Sequence, residues 1–109
     1  MRTLTLLFAL STPAFAADQI GRDGLVETLT TYQNTADTYL AMHGAVVLAT
    51  VAGAEEYKWG GSACSNRALS DRHVEMLQRA MESGATVSPR FKAGQGTNRC
   101  LVGFVLSYP

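Results

Sequence analysis

The sequence is poor in the residues and spacings on which most small-protein chemistry rests. It has two histidines, His43 and His73, with no H-x-H and no H-x-x-x-H, so a zinc site has no frame. It has two cysteines, Cys64 and Cys100, with no C-x-x-C between or beside them. No metal or cofactor is expected. G-x-S-x-G is absent, which removes the usual nucleophile elbow. What is left for a nucleophilic hydrolase is "SDRH", which places Ser70, Asp71 and His73 at a helix start. Ordinary capping accounts for Ser70 and Asp71 there. Glu55 and Glu56 are adjacent on an expected strand and so point to opposite faces rather than forming a working pair. The chain is therefore read as a non-enzyme.

One long apolar run exists, and it is too short to span a membrane. Leu4 to Leu10 is almost unbroken, but Ser11, Thr12 and Pro13 end it well before the ~20 residues a span needs. Arg2 precedes it, and Ala14-Phe15-Ala16 follows as a small-x-small cleavage pattern. That is the layout of a signal peptide. No cysteine sits at the cleavage point to take a lipid. The expected division is a signal over 1–16 and a single small exported domain over 17–109, with no transmembrane segment after cleavage and a periplasmic or secreted destination. A small domain gains from an added restraint. In an oxidising compartment Cys64 and Cys100 can pair only with each other within the monomer, for roughly 4 kcal/mol by the chain-entropy model.

The rest of the chain predicts an α+β domain. Leu25, Leu29, Tyr32, Ala36, Tyr39 and Leu40 recur at spacings of three and four, the signature of a helix from Gly24 to Met42. Five threonines between 28 and 38 speak against it, because β-branched residues lose rotamer freedom in a helix. "GAVVLATVAG" and "EEYKW" predict an antiparallel hairpin with strands near 45–51 and 55–59. A second helix is expected to start at Ser70 and stop at Gly84, with Leu69, Val74, Leu77 and Met81 on its apolar edge and a Glu75–Arg79 pair on the other side. "TVSPRFK" and "RCLVGFVLSY" close the chain as two more strands, the first at an edge or bulged because of Pro89. In the last strand Cys100, Val102, Phe104, Leu106 and Tyr108 should share one face. The expected architecture is two helices packed on one face of a mainly antiparallel four-stranded sheet, with one disulfide.

Charge divides along the chain. From 17 to 56 a single arginine stands against six acids, and from 57 to 109 seven bases stand against three acids. Such polarity either marks an anion-binding face or lets the two halves pack with complementary surfaces. "RFKAGQGTNRC" carries the sharpest local signal. A phosphate loop would need a third glycine and a helix beginning there, and here a strand follows, so a hairpin turn is the better description. The candidate binding residues are Lys58, Trp59, Arg90, Lys92, Gln95 and Arg99, with Trp59 either an exposed anchor or core beside the bridge. The function expected is a binding or accessory protein that acts through a surface around Trp59 and the 90–98 basic turn, its partner another exported protein. The alternative is a binder of an anionic small molecule or cell-wall glycan, and a third is a small hydrolase using His73. No nucleic-acid partner is expected.

Overall fold

The computed structural model describes residues 18–108; the expected signal segment lies outside them. The elements are β1 (Gln19–Ile20), β2 (Gly24–Thr31), a 3-10 turn (Asp37–Leu40), β3 (Gly44–Thr50), β4 (Gly53–Trp59), α1 (Asp71–Ser83), β5 (Thr86–Ala93) and β6 (Arg99–Ser107). Strands run around a closed barrel in the order β5-β2-β3-β4-β6, and β6 returns to β5; β1 adds a short outer strand to β5. This overturns the expected four-stranded sheet with two helices on one face. Among the described residues there is one α-helix, and none is long and apolar enough to cross a membrane.

The largest correction concerns 24–42. Its first eight residues are strand β2, paired antiparallel with β3 along its whole length, and the remainder is a loop containing the 3-10 turn. A β-bulge explains the misleading pattern. Val26 pairs with Leu48 and Thr28 with Val47, so Glu27 is the extra residue. The bulge shifts the inward side chains from Val26 to Leu29, three apart, which imitates a helical spacing in a strand. Leu25 and Leu40, counted to the helix face, are exposed instead. The threonines gave the better signal, since β-branched residues fit a pleated strand.

A second bulge lies in β6. Arg90 pairs with Gly103 and Phe91 with Leu101, leaving Val102 as the extra residue. Leu101, Phe104 and Leu106 therefore all meet the core, and the expected single face of Cys100, Val102 and Phe104 is split. Val87 and Phe91 oppose them from β5. Bulges of this kind sharpen local twist and bend strands, as closing so small a barrel requires.

The hairpin of β3 and β4 forms as the sequence predicts, from Gly44 opposite Trp59 to Thr50 opposite Gly53. Helix α1 also starts and stops at its expected caps. The Ser70 side chain accepts the His73 amide at 3.3 Å, and Gly84 closes the other end in the left-handed region at φ 74°. It does not lie on an open sheet. Leu77 and Ala80 enter a core shared with Val46, Leu48, Tyr57 and Trp59. Burying each large side chain there contributes about 1.5–3 kcal/mol.

The barrel has two thin seams. β2 meets β5 at one residue pair, Gly24 with Val87, and β4 meets β6 at one parallel pair, Lys58 with Cys100. The second seam carries the Cys64–Cys100 disulfide, with Cα atoms 5.6 Å apart. Both half-cystines are buried. Gly94 packs so close that an added Cβ would run into the Cys100 sulfur and the Ala63 carbonyl. Reducing the bridge, or replacing Cys64 with serine, should cost up to about 4 kcal/mol and lower the melting temperature measured by circular dichroism. An unchanged melt would show that the seam holds without it.

Candidate functional site

Three loops gather beside Lys58 of β4. Loop 32–43 joins β2 to β3, loop 60–70 joins β4 to α1, and turn 94–98 joins β5 to β6. Backbone hydrogen bonds fix them to one another. Ser62 and Ala63 donate to Leu40 and Ala41 at 2.9 Å each, and Gln95 donates to Ala63 at 3.1 Å. The disulfide ties loop 60–70 to the start of β6 at the same place. Between the loops is a shallow cleft of about 370 Å³, lined by Thr38, Met42, Lys58, Ser62, Gln95 and Asn98 among others.

Two of the six sequence-derived binding residues, Lys58 and Gln95, meet in this cleft. Lys58 projects from β4, and the nearest ion-pair contact of its ammonium is Glu56 at 3.9 Å, too long to occupy its donors. Turn 94–98 is the hairpin that its composition suggests. Gly94 donates to Asn98 at 2.8 Å, and the Asn98 side-chain amide donates to the Gln95 carbonyl at 2.8 Å.

The other four lie elsewhere. Trp59 is core, 2% exposed. Arg90 folds back on its own strand, donating to the Ser88 hydroxyl at 2.8 Å. Lys92 pairs with Asp18 across the β1–β5 edge at 3.6 Å. Arg99 turns to Glu55 at 3.6 Å and lies over the Tyr57 ring, 4.8 Å from its centroid.

Glu55 is the hub of a second polar cluster. Its side chain is 11% exposed, and Arg22 reaches it at 2.7 Å from the segment after β1. The Tyr57 hydroxyl donates to it at 3.4 Å. Glu56 faces outward, so the two carboxylates do point apart, and the inward one is held by two arginines. Ser70 and His73 also meet, but Ser70 is spent as the helix cap and the His73 ring sits edge-on to Phe104, 5.8 Å away.

Sequence reasoning did not place Thr38, Met42 or Ser62 in a site, and it read Asn98, within the expected 90–98 surface, only as a turn former. The first three lie on loops that the misread helix and the undivided loop after β4 had left without a path. The polar run "QNTADT" over 33–38 was the available sign that this stretch is a loop.

Topologically this is the connectivity of an OB-type Greek-key barrel, with α1 between its third and fourth strands and the cleft beside Lys58 of its third. No family model matches the chain, and no curated protein or solved structure matches it either.

Burial raises the pKa of Tyr57 above its ordinary value of 10.0, with Arg99 opposing and the Glu55 charge and hydrogen bond adding to the rise. A tyrosine whose folded pKa is raised is held neutral by the fold. Its contribution is complete below pH 10.0 and is lost as pH rises through the folded pKa. Absorbance titration should show one of the four tyrosines ionising late, and Tyr57→Phe should remove that phase and flatten the alkaline fall in stability. A late phase that survives the substitution would assign it to another tyrosine.

Proposed function

We propose that the chain is an exported saccharide-binding module that takes a glycan carrying a carboxylate. The observation behind this reading is the convergence of three tied loops around Lys58 of β4. OB-type barrels bind oligonucleotides and oligosaccharides with the loops that here correspond to 32–43 and 94–98, beside the face of their second and third strands. Fold alone does not favour one over the other, and the reading rests on the side chains. A nucleic-acid strand needs a basic track and stacking platforms. Here one ammonium stands among hydroxyls and amides from Thr38, Ser62, Gln95 and Asn98. That set suits a single carboxylate surrounded by sugar hydroxyls. The other donors are polar and neutral, so they add geometry to the charge preference that Lys58 sets.

The test compares a uronic-acid-terminated trisaccharide with its neutral counterpart by isothermal titration. The acidic glycan should bind at least roughly tenfold tighter, and Lys58→Ala should erase the difference, since one charge-assisted hydrogen bond contributes about 1.5–3 kcal/mol. Equal binding of the two, or no effect of the substitution, would overturn the reading.

A second reading, a subunit that docks on another exported protein, has its own observation. No charged residue occurs from Cys100 to Tyr108, yet Val105 and Tyr108 are exposed, and Met76 and Met81 of α1 are exposed as well. Beyond the single pair with β4, β6 is bonded only to β5. An uncharged, exposed strand edge pairs readily with another chain. On this reading, protein from its native exported fraction sediments as an assembly, and Val105→Lys reduces it to a monomer. A wild-type monomer would exclude it.

A further inference from the structure

On the other side of loop 32–43 lies a larger cleft, of about 730 Å³, between that loop and the N-terminal half of α1. Trp59 and Leu69 are among the residues that close it from the core side. Tyr32, Tyr39 and His43 bring aromatic rings to its wall. Tyr39 and His43 are stacked, centroids 3.9 Å apart and planes 8° from parallel. Each ring therefore holds the other in place. Planar polar groups line the remaining sides: the amides of Asn34 and Gln78 and the carboxylates of Asp71 and Glu75. No lysine or arginine lines it.

Each component fits one kind of ligand. A pyranose has an apolar C–H face that packs on an aromatic ring and an equator of hydroxyls that both donate and accept. Amides and carboxylates supply two-pronged partners for adjacent hydroxyls. The two carboxylates disfavour an acidic sugar here, while Lys58 favours one in the smaller cleft. Both clefts share the same loop, with Thr38 and Met42 lining one and Tyr39 and His43 the other. We infer that the larger cleft is a second subsite, selective for an uncharged sugar ring of the same glycan. This inference rests on the saccharide reading and adds a ring of opposite charge preference to it.

The experiment is an NMR titration of the isotope-labelled protein with two neutral probes, maltotriose and triacetylchitotriose, beside the uronic-acid-terminated trisaccharide. At least one neutral probe should shift the amides of residues 31–34, 39, 43 and 78. Lys58→Ala should retain those shifts, and Tyr39→Ala should weaken the neutral probe roughly tenfold. Gln78→Ala, on the exposed face of α1, gives a second reading of the cleft should Tyr39→Ala disturb the loop. If the acidic glycan binds at Lys58 and neither neutral probe moves the larger cleft, the second subsite is wrong and the first stands. If no probe shifts either cleft, both fall together.

Discussion

Everything in this molecule that positions a side chain for use depends on how the barrel is shut between β4 and β6. A single parallel pair, Lys58 with Cys100, joins them, and a seam of one pair has little cooperativity of its own. The disulfide from Cys64 to Cys100 supplies what the hydrogen bonding does not. It fixes loop 60–70 against the start of β6. Loop 60–70 then holds loop 32–43 through Ser62 and Ala63, and holds the β5–β6 turn through the Ala63 carbonyl. Lys58 stands in the seam itself. The restraint that stabilises a small core thus also sets the frame of the cleft, so fold and site share one covalent origin.

The charge asymmetry along the sequence has largely the blander of its two explanations. Acids of the first half meet bases of the second: Glu55 holds Arg99 as well as Arg22, and Asp18 meets Lys92. These contacts cross the barrel and its outer strand, joining segments distant in sequence. The exposed ones contribute little, and the Glu55 cluster contributes more by keeping an inward carboxylate satisfied than by adding net attraction. Lys58 is different because its carboxylate neighbour is its own strand-mate at 3.9 Å, on the outside of the barrel.

Local chemistry made part of the fold legible. The Ser70 and Gly84 caps, the glycine-bounded hairpin over 44–59 and the β5–β6 turn are specified by residues within a few positions of one another, and all three form. What failed was periodicity across a bulge. Glu27 and Val102 each insert one residue, and each converts a two-residue alternation into a three-residue step that local pattern cannot distinguish from a helix turn or a face change. Strand order was not legible either, because the parallel β4–β6 pair is made by residues far apart in sequence and held by a loop. Of the site, Lys58 and Gln95 were recoverable as unusual polar residues beside glycines and a cysteine. Thr38, Ser62 and the aromatic wall of Tyr32, Tyr39 and His43 were not, since they join only after loop 32–43 has been folded back by its contacts with loop 60–70.

The distribution of charge over the two clefts is the ground on which the proposed saccharide reading prefers a glycan to a polyanion. A polyanion presents one negative charge after another, and a surface that binds it must answer with repeated cations whose counterions are released together. Here the smaller cleft offers one ammonium, and the larger cleft offers two carboxylates and four aromatic side chains, Trp59 among them. A continuous anionic strand would gain at Lys58 and lose at Asp71 and Glu75. An oligosaccharide varies its charge from ring to ring, and can therefore satisfy both. Loop 32–43 is the wall common to the two clefts, so on the proposed reading the spacing between an acidic and a neutral ring would follow the position of that loop, which Ser62 and Ala63 hold beside the disulfide.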